Sequence, residues 1–389
     1  MKTKINALAK YVGAAVVLGA ISCAAQAEIT VLKQDPQAGD PLSRLNFTVG
    51  GSIRPQFNNM TGDSDKGSYK RNGFDGGSRF RFTADYYLFD DISWISYYEL
   101  GVNFPALFNW DHHYADGATD TTRRMLYTGL KSDTWGQLTF GQQNSVFYDV
   151  VGAKTDIWDY DMLGQAPGNG INGDYDGSYR TRKSLKYKKT VGDVDLYASY
   201  LFDDDLNRND GKGIYKRKGG GSLGMNYHIT DDLQWGSAWN YTKAKMRNYE
   251  GRDASTYNQN IWGTALSWTP DNWTLAAGLG WYQNYIPLKG GYSAQPIDNG
   301  NAFADDAWGY EYFIGYAFPI NQYALQAIQP YVMGDRMEFV NGANWKRIDN
   351  GVGINFKFDY GFSMQYEHVF TSSTDDQGDM NLVRLRYDF

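Results

Sequence analysis

From residue 28 onward the chain alternates. Trp308, Tyr310, Tyr312, Ile314, Tyr316 and Phe318 share one parity, with Gly309, Glu311, Gly315 and Ala317 on the other. Phe80, Phe82, Ala84, Tyr86 and Leu88 interleave in the same way with Arg79, Arg81, Thr83 and Asp85. The last residues, NLVRLRYDF, set Val383, Leu385, Tyr387 and Phe389 against Leu382, Arg384, Arg386 and Asp388. A period of two sends successive side chains to opposite faces and is the mark of a strand. The pattern predicts sixteen strands, near 45–58, 76–90, 92–104, 122–132, 134–143, 179–190, 193–202, 218–230, 232–247, 256–269, 272–286, 306–319, 325–340, 345–358, 361–372 and 379–389. No helical periodicity of useful length follows residue 27.

The connections alternate in length. Short ones fall at Asp90-Asp91, Asp133, Val191-Gly192, Asp231, Pro270-Asp271, Ile320-Asn321 and Asp359-Tyr360, while 59–75, 105–121, 144–178, 203–217, 248–255 and 287–305 are long, polar and glycine-rich. An even number of strands with short turns at one rim and long loops at the other is the layout of a transmembrane barrel. The aromatic parity then faces lipid and the polar parity a water-filled lumen, and closure of the sheet satisfies every backbone N–H and C=O without water. Alternation alone also fits a soluble β-sandwich or an exported β-propeller. Against these stand the aromatic residues at strand ends and the lack of a repeat period for blades. The fold class predicted is all-β, a 16-stranded antiparallel transmembrane β-barrel.

The N-terminus fits this destination. Lys2 and Lys4 precede an apolar run from Val12 to Ile21, and Ala25-Gln26-Ala27 offers a cleavage site before Glu28. The run is shorter than the ~20 residues of a spanning helix and reads as a secretory signal peptide, residues 1–27, with the barrel domain at 28–389. Cys23 offers an alternative as an acylated lipoprotein cysteine, although Ala20-Ile21-Ser22 is a poor approach to such a site. Cleavage after Ala27 removes the only cysteine and with it any disulfide. The formal charge of −7 supplies no basic footprint for nucleic acid. Twelve Trp, 31 Tyr and 20 Phe in so hydrophilic a chain match interfacial girdles.

Three stretches carry a resemblance. RRMLYTGLKSDTWGQLTFGQQNSVFYDV (Arg123 to Val150), AQA followed by Glu28-Ile29, and Arg384-Leu385-Arg386-Tyr387-Asp388-Phe389 resemble the fourth and fifth strands, the cleavage site and the C-terminal strand of the general diffusion porins of Gram-negative outer membranes. The resemblance implies a homotrimer of barrels in the cell outer membrane, amid lipid and lipopolysaccharide. It also implies an inward-folded third loop, here about 144–178, a terminal Phe read as an assembly signal, and passive diffusion of small hydrophilic solutes and ions, with no cofactor and no metal.

The lumen parity carries Arg54, Arg79, Arg81, Arg124, Arg180, Arg182, Lys186 and Lys188, a basic wall. Arg79, Arg124 and Arg180 match the family's basic cluster, and Arg54 lies near its first-strand basic position. Asp149, Asp156, Asp159, Asp161, Asp174 and Asp176 in the long insertion supply opposing charge. Asp156 matches a loop-three acid of the family, and Asp159 or Asp161 a second. A basic wall facing an acidic loop makes a transverse field that orients dipolar solutes and hinders apolar ones. Any single lumen arginine fits a solvated wall position equally well, so the cluster carries the argument.

Departures from the family fall at the narrowest point. Its Pro-Glu-Phe-Gly-Gly-Asp stretch is absent, and Gln142 and Gln143 stand where an Arg and an Asn are usual. Trp158 and Tyr160, with Phe108 and Trp110 in the second loop, fit stacking platforms for sugar rings or packing of the loops on the wall. A solute-selective porin, for oligosaccharides for instance, is therefore the alternative function. An outer-membrane enzyme needs a His beside a Ser or Asp. The four His offer only His112 and His113 beside Asp111, His228 near a turn and His368 on the lipid parity, and Asp111, His112 and His113 are an equally weak metal set. Energy-coupled transport is excluded, since 389 residues cannot hold a plug and about 22 strands.

Overall fold

A computed structural model of the protein describes residues 28–35, 37, 39–61, 70–108, 120–157, 176–204, 214–247, 255–285, 305–340, 346–374 and 378–389. Its strands are β1 (Ile29–Leu32), β2 (Leu45–Ile53), β3 (Pro55–Thr61), β4 (Lys70–Asp75), β5 (Arg79–Phe89), β6 (Ile92–Val102), β7 (Thr121–Ser132), β8 (Gly136–Asn144), β9 (Arg180–Val191) and β10 (Val194–Leu201). The second half adds β11 (Ile214–His228), β12 (Leu233–Arg247), β13 (Ser255–Trp268), β14 (Trp273–Tyr285), β15 (Asp305–Tyr316), β16 (Phe318–Gln322), β17 (Leu325–Phe339), β18 (Lys346–Phe358), β19 (Phe362–Ser373) and β20 (Asp379–Asp388).

These segments make a closed antiparallel barrel of sixteen staves, because β2 with β3, β4 with β5 and β15 with β16 are each one stave with a break. The first break has a local cause: Pro55 has no N–H for the ladder, and the Arg54 N–H donates instead to the Ser78 hydroxyl at 2.8 Å. Every stave pairs with its sequence neighbours, and β20 returns to the first, with Arg384 opposite Gln56 and Tyr387 opposite Ile53. The seam ends on Phe389, whose N–H donates to the Gly51 carbonyl at 3.1 Å and whose carbonyl accepts from the Gly51 N–H at 2.6 Å. Beyond it β1 continues along the same edge of β2, with Ile29 opposite Val49.

The two faces separate by parity. Val383, Leu385, Leu223, Leu279 and Phe140 are exposed on the outside. Trp239, Trp262, Trp281 and Trp308 are direct cross-strand neighbours on β12 to β15 and form an unbroken outer row of indoles. The inner parity differs from the uniformly polar lumen that the sequence predicts. Met333, Met337, Val369, Met380 and Leu382 point inward and are fully buried. The interior therefore contains packed protein as well as water.

Gly51 is where the seam is tightest. A Cβ there would lie 2.6 Å from Cζ of the Phe389 ring and 2.7 Å from the Arg79 carbonyl oxygen. Gly51→Ala is expected to destabilise closure by about 1–3 kcal/mol, as overpacking does. Urea titration of the folded barrel in lipid vesicles, read by the heat-dependent gel shift, checks this.

Candidate functional site

The connection between β8 and β9 enters the barrel at both of its described ends. On the way out, Val146, Phe147, Val150 and Val151 have no solvent exposure and pack on Ala238, Ile261, Ala265, Tyr282, Ala307, Met337 and Phe339 of the inner wall. Ile157 continues this leg onto a second patch containing Phe313, Tyr331, Met333, Val369, Met380 and Leu382. On the way back, the Asp176 carbonyl accepts from the Thr242 hydroxyl at 2.6 Å and the Asn240 amide at 2.9 Å. A wall-to-loop ion pair, Lys186 with Asp149 at 2.6 Å, holds the opposite side. The Tyr148 hydroxyl donates to Asp156, and burial beside that carboxylate pushes its pKa above the usual phenol range. Asp159, Asp161, Trp158 and Tyr160 lie outside the described residues, as do Trp110, Asp111, His112, His113 and Asp174.

The basic wall faces the space this loop leaves. Arg79, Arg81 and Arg124 converge on one carboxylate, Glu99 of β6, at 3.9, 3.4 and 2.5 Å. Arg54 lies in the field of Arg79, Arg124 and Arg386, with its Nε donating to the Ser52 hydroxyl at 2.7 Å. The last strand brings Arg384, which donates to Gln56 at 2.9 Å, and Arg386, paired with Asp388 at 2.6 Å. Six guanidiniums thus gather here, with Glu99, Asp75 and Asp388 among the carboxylates close to them. Glu99 was not anticipated. Its parity with Tyr97 and Gly101, which face Thr83 and Arg79, is the signal that places it inward.

One of the predicted wall arginines, Arg182, leaves the cluster, and a bulge explains why. Gly141 pairs with Ser184 but Gln143 pairs with Thr181, so β9 has one extra residue, taken up at Lys183 with φ +46°. The extra residue inverts the parity that Lys186 and Lys188 obey. Thr181 turns in, and Arg182 turns out to pair with Asp204 at 3.1 Å beside Trp94, Leu126 and Phe140 of the outer surface. Arg180 stays beside the cluster: its guanidinium lies over the Tyr179 ring at 4.3 Å, and Tyr179 in turn acts on Arg79 and Arg124 and packs edge-on to Tyr148 of the loop. Gln143, which replaces a polar residue of the resembling family, is buried against Thr139 and Ser184.

The opposite wall carries carboxylates of its own that the sequence reading did not single out. Glu311 is directly paired with Asp335, and Asp335 with Asp349, a lateral row across β15, β17 and β18. Arg347 meets Asp349 at 2.7 Å, and Glu367 accepts from the Tyr331 hydroxyl at 2.8 Å. Exposure separates the two walls. Glu311, Asp335, Asp349 and Glu367 are 0–1% exposed, whereas on the basic wall the side chains of Arg81 and Arg386 are 32% and 31% exposed and those of Arg79 and Arg124 15% and 16%, with Arg384 buried. The loop and its packing cover the acidic side, and on the basic side Arg81 and Arg386 reach water. Among the described residues no group of three His, Cys, Asp or Glu is placed to hold a metal ion. His228 is held by Asp195 and Asn226, and His368 by Asn381.

Gly236 sets how closely the loop lies on the wall, since a Cβ there would come 2.0 Å from the Val150 carbonyl oxygen. Gly236→Val is expected to push the outgoing leg off β12 and change single-channel conductance by about 1.5-fold or more, because the width at the narrowest point sets the current. Recordings in a planar bilayer check this, and unchanged conductance would mean that the leg does not border the open path.

A family model described as Gram-negative porin matches residues 14–328. The outer membrane protein YedS of Escherichia coli is 22% identical over 98% of this chain and 99% of its own length. OmpF of Salmonella typhi, solved in complex with daunomycin, superposes with a TM-score of 0.67 at 15% identity, covering 89% of this chain and 98% of that one. The outer membrane channel DcaP of Acinetobacter baumannii gives 0.65 at 12% identity, over 92% and 99%. Vibrio cholerae OmpT in a trimer form gives 0.58 at 15%, over 89% and 99%. Barrel, lumen and family model agree, and the chain belongs to the Gram-negative porins, channels of the outer membrane.

Proposed function

We propose that the protein is a passive outer-membrane pore for small hydrophilic solutes, that it favours anions, and that the β8–β9 connection, about 144–178, is its constriction. The observation that carries this reading is the asymmetry of the lumen, with Arg81 and Arg386 reaching water from a guanidinium cluster on one wall and carboxylates buried on the other. A charge left in water at a narrow point acts on passing ions, whereas one buried and paired contributes less to the field along the path. Arg54, Arg79, Arg81 and Arg124 form the selecting wall, joined by Arg384 and Arg386. Asp156 lies in the loop beside Tyr148 on the path, and Asp159, Asp161, Trp158 and Tyr160 complete the constriction loop. Residues 1–27 act as a cleaved export signal. The working unit is a homotrimer in contact with outer-membrane lipid and lipopolysaccharide, as the trimer form of the Vibrio cholerae relative suggests. The chain acts as a channel and not as an enzyme.

Lys154 gives the pore a pH response. It is buried in the outgoing leg, and burial pulls its pKa down to about 8, against the opposing pull of Asp195 and Asp149. It holds its proton below that pH and loses it above, so the lumen becomes less positive as pH rises. In a KCl gradient the reversal potential is expected to report anion preference at pH 6, falling between pH 7 and 9, with the fall abolished in Lys154→Met. A cation preference at pH 6 would contradict the proposal.

A further inference from the structure

On the wet side of the lumen, between the wall and the outgoing leg of the loop, lies a recess of about 410 Å³. Tyr97, Tyr127 and Tyr197 line it, and Met125 is its only aliphatic lining residue. The rings of Tyr97 and Tyr127, both lining the recess, stack on each other with centroids 5.2 Å apart and planes at 18°, so the recess has an aromatic pair on one side. Beside the charged Asp149, Lys186 and Lys188, its lining is made of hydroxyls and amides, including Gln137, Thr139 and Asn144. Such groups match a ligand whose hydroxyls both donate and accept. The charges inside are already neutralised: Lys186 by Asp149 at 2.6 Å and Lys188 by Asp195 at 3.2 Å.

The rim is different. The Tyr97 hydroxyl donates to Glu99 Oε2 at 2.9 Å, and the same oxygen is 3.4 Å from Nε of Arg81. A charge-balanced aromatic and hydroxylic recess therefore adjoins the arginine cluster through Tyr97 and Glu99. An aromatic face packs against the C–H face of a sugar ring while its hydroxyl stays polar. The guanidinium plane is the side chain suited to a carboxylate or phosphate. The volume of about 410 Å³ holds about fourteen water-sized units at about 30 Å³ each, which suits one pyranose with its substituents.

We propose that this recess is a binding subsite for an anionic monosaccharide, its ring against Tyr97 and Tyr127 and its carboxylate or phosphate toward Arg81 and Arg124. The inference rests on the reading of the lumen as a water-filled path by which such a solute arrives. It adds a solute class to a channel that would otherwise only sieve.

Titration calorimetry of the full protein in detergent, paired with block of the bilayer current, tests it with glucuronate, glucose 6-phosphate, glucose, acetate and inorganic phosphate. Saturable binding of glucuronate or glucose 6-phosphate, about tenfold tighter than glucose and than the two small anions, is expected. The stronger of the two sugars identifies the anionic group. Tyr127→Ala should weaken that binding about tenfold, and Arg81→Gln should remove the preference over glucose. Tyr97→Phe, which keeps the ring but drops the hydroxyl at the rim, should also weaken it. Glucose binding as tightly as the anionic sugars, small anions binding as tightly, or unchanged binding in Tyr127→Ala and Tyr97→Phe would each overturn the proposal. A conducting pore blind to every sugar would overturn the subsite and leave the channel standing. Binding in detergent without any bilayer current would support the subsite and contradict the channel.

Discussion

A sheet placed in hydrocarbon has no water to satisfy its edges, so every N–H and C=O must find a partner within the protein. Here that requirement is met at one seam, where β20 runs along β2 and β3 and the Phe389 main chain bonds both ways to Gly51. The alternation of the sequence follows from it. Once the ring is closed each stave has one lipid face and one lumen face, and a side chain's parity decides its solvent. The bare aromatic Phe389 then has a physical role: its ring lies edge-on to Phe80 at 5.8 Å across the closing seam and stacks on Tyr387 of its own strand at 5.6 Å.

Sixteen staves enclose more space than their own side chains fill. The β8–β9 connection occupies part of it, held by valines and Phe147 on an inner wall that presents methionines, alanines and glycines to receive it. This converts a symmetric ring into a two-sided lumen. Carboxylates on the covered side are shielded from the path, while among the guanidiniums gathered around Glu99 Arg81 reaches water. Glu99 lets three cations sit close together by lowering their mutual repulsion, and the surplus positive charge remains available to solutes. The chain is acidic as a whole, yet the wall beside its water path is basic.

Parity made the barrel legible. The sixteen staves, the outward Val383 and Leu385 and the inward Arg384 and Arg386 could all be read from residue order. It also put Arg79, Arg81 and Arg124 on one wall, where they meet. The reading failed where the period of two is interrupted. The bulge at Lys183 sent Arg182 outward, and no residue type near it marks the extra position, since a lysine at positive φ looks like any other in the sequence. It also failed for Met333, Met337 and Leu382, which are apolar on the lumen phase because the loop or neighbouring inward side chains pack on them. That partnership is tertiary and leaves no mark in local alternation. Glu311 stood on the polar parity, but alternation along single strands does not show that it lines up with Asp335 and Asp349.

The central claim is that one side of the lumen is sealed and the other is the path. Thiol accessibility tests it directly, because the only cysteine of the sequence is Cys23, ahead of the barrel. Thr83 lies on the lumen phase of β5 beside the arginines, and Thr242 lies on the covered side against the Asp176 carbonyl. With a membrane-impermeant methanethiosulfonate added to the reconstituted channel, Thr83→Cys is expected to react and shift the current, and Thr242→Cys to stay unmodified. Equal modification at both positions would contradict the account.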